Sequence, residues 1–236
     1  SSPTQIPGTT WSKCSVGNHG AIASKTDGTL WAWGNGGFGA LGLNQTGSTK
    51  VSSPTQIPGT TWTGNICRDK YQAAAIRGDG TLWTWGWGSN GMLGVNQSNI
   101  NRSSPTQVPG TTWKDVGMGG DSGTTIAVKT DGTLWSWGYN NKGQLGHNNL
   151  TQRSSPTQVG SGTDWTDISM KLSGWIARKT DGTVFGAGLD SFGMYGKSET
   201  PGYSGGYFSS PVQIAGSWNV ALGKTKMFDL MFRKNA

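Results

Sequence analysis

The chain has 236 residues and a net charge of +7, yet charged residues make up only 13% of it, about half the ~25% usual in globular domains. Two cysteines are too few for a disulfide framework or a metal site, and no stretch approaches the ~20 apolar residues of a membrane-spanning helix. No secretory leader stands at the front, and the expectation is a soluble chain that does not insert into membranes.

The first ten residues, Ser1 to Thr10, return as Ser52 to Thr61 and, with one change, as Ser103 to Thr112. A tryptophan follows each copy. Starting each unit at that tryptophan gives repeats 11–61, 62–112, 113–164 and 165–217, with partial units at 1–10 and 218–236. A fixed period of this length marks stacked supersecondary units.

Each unit reads as strands in a constant order. The first follows the leading tryptophan, as in Trp113 to Met118, and the second is a run such as Thr125 to Lys129. The third is Thr133 to Trp137, and a short fourth contains Pro156 to Val159. Lys-Thr-Asp-Gly between the second and third strands is a hairpin signal, with glycine supplying the positive φ. The aspartates Asp27, Asp79, Asp131 and Asp181 recur there. A repeated carboxylate invites a metal reading, but aspartate before glycine shapes a turn, and that reading is preferred. No apolar run at helical spacing stands out.

The third strand lies in the phrase DGTLWxWG, at Asp27 to Gly34, Asp79 to Gly86 and Asp131 to Gly138, with a decayed copy from Asp181 to Gly188. Its two tryptophans stand two residues apart and project from one face. Leu30 and Ala32 occupy the other face, so both faces carry material to bury. Trp31, Trp33, Trp83, Trp85, Trp135 and Trp137 are therefore expected to be the adhesive between units. Each contributes roughly 4–6 kcal/mol of gross burial before entropy is subtracted.

The frame, W-x-x-[VI]-x-x-G, then DGTLWxWG, then GxLG as in Gly143-Gln144-Leu145-Gly146, then SSPTQV, strongly resembles the regulator of chromosome condensation repeat. His19 stands where many repeats of that family place a histidine. The resemblance covers essentially the whole chain. It implies an all-β fold, a β-propeller of ~51-residue repeats forming one domain over 1–236, with four full blades and a split or partial fifth made from the two ends. The family usually builds seven blades, so either the last blade is incomplete or residues beyond Ala236 are missing. One family role, nucleotide exchange on a small GTPase, uses acidic and polar loops, and this chain has a single glutamate, Glu199. Another, ultraviolet sensing, rests on a Gly-Trp-Arg-His-Thr motif that the chain does not contain.

The sequence supplies no motif for a nucleophile–base pair, a metal, a cofactor or a phosphate loop. His19 and His147 lie in different units, and the expectation is no enzyme, no cofactor and no metal. Cys14 and Cys67 read as core thiols. The basic residues are scattered, with only Lys224, Lys226, Arg233 and Lys234 grouped, which argues against nucleic acid. Partner contacts are sought where the copies differ, since loops on a rigid scaffold carry binding. Those positions are Asn35, Trp87, Tyr139 and Leu189 after the WxWG strand, His19 and Tyr71 before the second strand, and Tyr203, Tyr207 and Phe208 in a longer loop of the fourth unit. Near-identical copies of low charge point first to a bacteriophage virion component. That would be a capsid or tail decoration or a host-binding fibre domain, located on the virion or a cell surface. Its partners would be other virion subunits or a host receptor. The alternatives are a regulatory adaptor acting on a GTPase or chromatin, and a secreted glycan-binding module.

Overall fold

The computed structural model describes residues 2–215 apart from 46, 48, 120–122, 172, 191–192, 194 and 197–205. They form four antiparallel four-stranded sheets, one per repeat. The first sheet holds β1 (Trp11–Gly17), β2 (Gly20–Lys25), β3 (Thr29–Asn35) and β4 (Lys50–Thr60). The second holds β5 (Ile66–Arg68), β6 (Gln72–Ile76), β7 (Leu82–Gly86) and β8 (Arg102–Gln107). The third holds β9 (Trp113–Gly119), β10 (Thr124–Lys129), β11 (Leu134–Gly138) and β12 (Arg153–Gln158). The fourth holds β13 (Trp165–Lys171), β14 (Gly174–Lys179), β15 (Val184–Leu189) and β16 (Tyr207–Ile214). In each sheet the strands pair in chain order, and the first strands β1, β5, β9 and β13 adjoin one another from blade to blade. These are successive propeller blades with the first strand innermost.

The repeated phrase earns each letter through a local contact. In the first blade the Asp27 carboxylate accepts the Thr29 backbone N–H (2.9 Å) and hydroxyl (2.7 Å), and the Thr29 hydroxyl accepts the Trp31 indole N–H (2.8 Å). Asp79-Thr81-Trp83 and Asp131-Thr133-Trp135 repeat this relay. In the fourth blade Asp181 grips Thr183 the same way, and Phe185 ends the relay. These hydrogen bonds, led by the threonine hydroxyl, hold all four carboxyls below their ordinary range. The aspartates are turn residues.

The leading tryptophan meets both tryptophans of the third strand, as Trp113 does with Trp135 (6.0 Å) and Trp137 (5.9 Å). A cation at the end of the second strand or just past it covers the outer pair: Lys25 over Trp31 (4.4 Å), Arg77 over Trp83 (4.1 Å), Lys129 over Trp135 (4.4 Å) and Lys179 over Phe185 (5.2 Å). These partners shape burial. Of the six tryptophans expected in the core, Trp85 and Trp137 are fully enclosed, whereas Trp31, Trp83 and Trp135 are half-buried under their cations. Trp33 is half-buried as well, with Trp11 of its own blade against it (6.1 Å).

Blades are joined by a clasp built from the GxLG loop. Asn44 donates its backbone N–H to the Ser103 carbonyl of the next blade (2.8 Å), Asn96 to Ser154 (2.9 Å) and Asn148 to Ser209 (2.7 Å). The side chains of Ser104 and Ser155 donate to the Asn44 and Asn96 amide oxygens. Gly39 and Gly91 make the close approach, since a Cβ on either would lie 2.5 Å from the Ser103 or Ser154 Cα. The carbonyl following that glycine is a second anchor. Met92 O accepts from the Thr125 hydroxyl and the Trp137 indole, both 3.0 Å away, and Gln144 O accepts from the Trp175 indole (2.8 Å). Ala40 O accepts from the Arg68 guanidinium. Trp175 pairs across the sheet with Ala187, at the position Trp137 fills one blade earlier. It is fully buried, so it replaces the missing tryptophan of the fourth blade from the adjacent strand.

Two expectations need correction, and a third falls outside the described residues. Tyr207 and Phe208 belong to β16 and not to a loop: Phe208 pairs with Gly188 and packs on Tyr195 (5.9 Å). Tyr203 lies outside the described residues. Cys14 is exposed and not a core thiol, because it sits on β1 where the preceding blade would stand. Its counterparts Ile66, Val116 and Ile168 are buried. Cys67 is half-buried, and neither cysteine is in a disulfide. Finally, residues 2–10 contain no strand, and the segment 218–236 expected to pair with them lies outside the described residues.

Candidate functional site

Antiparallel order puts the turn between the first and second strands, and the loop between the third and fourth, at the same end of every blade. Backbone bonds tie them together: Asn35 N–H to His19 O (2.7 Å), Trp87 to Tyr71 (2.8 Å), Tyr139 to Gly123 (3.1 Å) and Leu189 to Ser173 (2.9 Å). The variable positions of the sequence therefore share one face.

At the seam of the first two blades these positions form a continuous aromatic patch. The His19 ring stacks on Tyr71 (5.3 Å), Phe38 meets the Tyr71 ring at its edge (5.0 Å), and Trp87 lies against Phe38 (5.7 Å) and Tyr71 (6.4 Å). The Lys70 ammonium stands over the Tyr71 ring (5.4 Å). His19 is exposed, Phe38 is 45% exposed, and Tyr71 and Trp87 are half-buried. His19, Tyr71 and Trp87 were expected to face a partner, and the fold brings them together.

Phe38 escaped the sequence reading. It has φ +61°, a left-handed conformation that a bulky side chain rarely takes. Its counterpart in the second blade is Asn90 at φ +54°, a residue that tolerates this region. A comparison of the fourth residue after each WxWG glycine, Phe38 against Asn90 and Lys142, was the available signal. Strain of this kind collects at functional sites. The seam between the second and third blades supplies an internal control. There the equivalent positions carry Tyr71, Asn90, Gly123 and Tyr139, so Asn90 and Gly123 interrupt the run of rings, and the blades join by the same clasp. The fold does not require the aromatic patch.

The patch rests on a buried cation. Arg68 is 4% exposed, and its guanidinium donates to the carbonyls of Asn35 (3.2 Å) and Ala40, fixing the loop that carries Phe38. Burial lowers its pKa to about 10, with neighbouring Asp69 opposing the shift, so it stays charged at neutral pH. Asn35 itself is structural: its side-chain oxygen accepts the Gly37 N–H (2.8 Å). Tyr139 and Leu189 are half-buried and stand apart from the patch, Tyr139 accepting the Thr124 hydroxyl on its carbonyl (2.8 Å).

Charge divides unevenly between the two ends of the blades. Among the described residues, the patch ends of the blades carry Lys50, Lys70, Arg102, Lys142 and Arg153 against Asp69 and the buried Asp190. At the opposite end Lys25, Arg77, Lys129 and Lys179 are balanced by Asp27, Asp79, Asp131 and Asp181, and Lys179 also pairs with Asp164 (3.2 Å).

One arrangement looks like a nucleophile–base pair. The Ser136 hydroxyl lies 3.0 Å from His147 Nε2. Ser136 is fully buried, and its hydroxyl donates to the Leu145 carbonyl (2.7 Å). Thr84 makes the same bond to Leu93 (2.7 Å) one blade earlier. The hydroxyl is a loop anchor with its proton already committed. Among the described residues no group of three or more histidines, cysteines or carboxylates is placed to hold a metal, and no helix is long and apolar enough to cross a membrane.

Comparison with known proteins places this geometry. The profile of the regulator of chromosome condensation (RCC1) repeat matches residues 27–66, 79–126 and 131–170, more than half of the chain. The X-linked retinitis pigmentosa GTPase regulator homolog of Caenorhabditis elegans is 35% identical over 92 residues, 38% of this chain and 6% of that protein. The regulator of chromosome condensation of Xenopus laevis is 28% identical over 100 residues, 42% of this chain and 23% of that protein. The chain thus spans a minor part of the curated relatives it matches. Among solved structures, yeast RCC1 (Prp20) bound to Kap60 superposes with a TM-score of 0.75 at 16% identity, covering 89% of this chain and 50% of that one. Human WBSCR16 superposes with a TM-score of 0.72 at 22% identity, covering 90% and 55%. The bacteriophage virion expectation is overturned by these relatives, which are eukaryotic regulators. With the repeat profile matched over most of three blades and the clasp of GxLG on SSPT joining all four, the chain belongs to the regulator of chromosome condensation (RCC1) repeat family.

Proposed function

We propose that this chain is a docking propeller without chemistry of its own, acting as a regulatory adaptor on a small GTPase through its patch face. The observation that carries this reading is the continuous aromatic seam of His19, Phe38, Tyr71 and Trp87, which the next seam lacks because Asn90 and Gly123 stand in place of Phe38 and Tyr71. Exposed aromatic residues clustered on a rigid scaffold are the usual anchors of protein interfaces. Relatives named as a GTPase regulator and a regulator of chromosome condensation support a GTPase over a virion partner. Prp20p is described as binding Gsp1p and histones. A basic patch face disfavours a basic partner such as a histone, so the GTPase reading is preferred to chromatin.

The test uses the full chain and a panel of small GTPases spanning their subfamilies, each loaded with a fluorescent GDP analogue. Binding is followed by interferometry, and nucleotide release by fluorescence. At least one GTPase is expected to bind, with altered nucleotide release. Failure of the whole panel to bind would overturn the reading.

A further inference from the structure

We infer that the aromatic seam and the cations around it form a docking surface for an acidic protein segment that inserts an apolar side chain against Phe38 and Trp87. This rests on the docking role proposed for the patch face and adds the chemistry of what it recognises.

Two independent features set that chemistry. The centre is a packed cluster of rings. Ring centroids 5.0–6.4 Å apart leave the four side chains packed on one another, with no slot between them for a planar base to enter. Such a surface accepts a side chain laid across it and resists intercalation. The surroundings are positive: Lys70 stands over Tyr71, and Lys50 ends the strand opposite Asn35. Arg102 and Arg153 begin β8 and β12 at the same face, and Lys142 lies in a loop there. Among the described residues, Asp69 is the acid next to Lys70 in sequence, and its charge acts on the buried Arg68 guanidinium. An apolar centre with a basic rim matches a partner whose apolar anchor is flanked by carboxylates, and the rim charges steer the encounter. The cations are spread one or two per loop and do not form the continuous groove that tracks a nucleic-acid backbone. The left-handed backbone at Phe38 fits a residue kept for contact and not for folding, since Asn90 holds the same turn at the next blade.

Fluorescence anisotropy with the full chain tests this. The probes are a labelled twelve-residue peptide of glutamates around a central tryptophan, its lysine counterpart, a twelve-nucleotide polythymidine and a neutral glucose hexasaccharide. The acidic peptide is expected to bind at least tenfold tighter than the lysine peptide, and to weaken as salt rises. Trp87→Ala and Phe38→Asn should each reduce its binding about tenfold or more, while Tyr139→Ala on the same face changes it less than twofold. Circular dichroism and melting of each variant guard against misfolding, and Phe38→Asn is the variant least able to unfold the blade. Equal binding of the two peptides, or insensitivity to both substitutions, overturns the inference. So does tighter binding of the oligonucleotide or the sugar. A chain that binds the acidic peptide as described but no GTPase leaves this inference standing and removes the GTPase reading. A chain that binds a GTPase but binds the acidic and lysine peptides equally does the reverse.

Discussion

Phe38 and His147 carry the sharpest expectations at the scale of single residues. Phe38 holds φ +61° where the second blade uses Asn90 at +54°. A left-handed conformation costs a non-glycine residue on the order of 1–2 kcal/mol, and asparagine less. Phe38→Asn should therefore stabilise the chain by about 1 kcal/mol, a rise in Tm of roughly 2–4 °C, while removing part of the exposed patch. A melting scan that finds Phe38→Asn less stable would show that the ring contributes packing beyond its strain. His147 is half-buried, and burial, with Arg153 second, lowers its pKa from 6.5 to about 4. The unfolded chain thus binds the proton more readily than the folded one. Stability contributed by neutral His147 is fully present above pH 6.5 and falls as pH drops towards 4. Replacing His147 with Gln should flatten denaturant midpoints measured between pH 4 and 6.5. Below pH 4 the depressed aspartates of the four hairpin turns add a further loss as they protonate.

Between elements, stability sits in the clasp and in the enclosed tryptophans. Gly39 and Gly160 both have positive φ, +81° and +62°. A Cβ on Gly39 would lie 2.5 Å from the Ser103 backbone of the next blade, whereas nothing lies within 4 Å of one on Gly160. Both alanine variants bear the backbone cost, but only Gly39→Ala must also push two blades apart. Gly39→Ala should cost about 1–3 kcal/mol more than Gly160→Ala in chemical denaturation. Equal losses would mean that the loop shifts freely and that the clasp contributes little. Trp137 is buried and donates to Met92 of the preceding blade. Trp137→Ala should cost about 3–5 kcal/mol, the usual range for emptying a large core site.

At the scale of the molecule, the described blades leave the leading side of the first one open. Val16 is 71% exposed, although its counterparts Arg68 and Met118 are buried. Cys14 stands beside it on the same strand and reports on that side directly. A soluble thiol reagent should label Cys14 at least tenfold faster than half-buried Cys67. Protection of Cys14 in the native chain would show that other residues cover the first blade, which is the ring closure expected of the two ends. The unequal charge of the two ends of the blades also belongs to this scale. The patch face should attract acidic partners from a distance set by the Debye length, ~8 Å at physiological salt, and lose that steering as salt rises.

The strand order, the blade period and the Asp-Gly turns were legible in the sequence, because each is a local matter. A two-residue alternation fixes which faces a strand presents, and Asp-Gly-Thr closes its turn with its own side chains. The sequence also marked His19, Tyr71 and Trp87 as departures from the repeat. Tertiary structure decided what those departures meant. Residues 19, 38, 71 and 87 meet only because antiparallel pairing returns every first turn and every third loop to the same end of the blade, and because the clasp presses neighbouring blades together. The assignment of Tyr207 and Phe208 to a strand and the replacement of the missing tryptophan by Trp175 are likewise contacts between segments far apart in the chain. So is the exposure of Cys14, which follows from what packs beside the first blade and not from the residues around it. Spacing along one strand specifies a face, whereas the occupant of that face is set by the neighbouring blade.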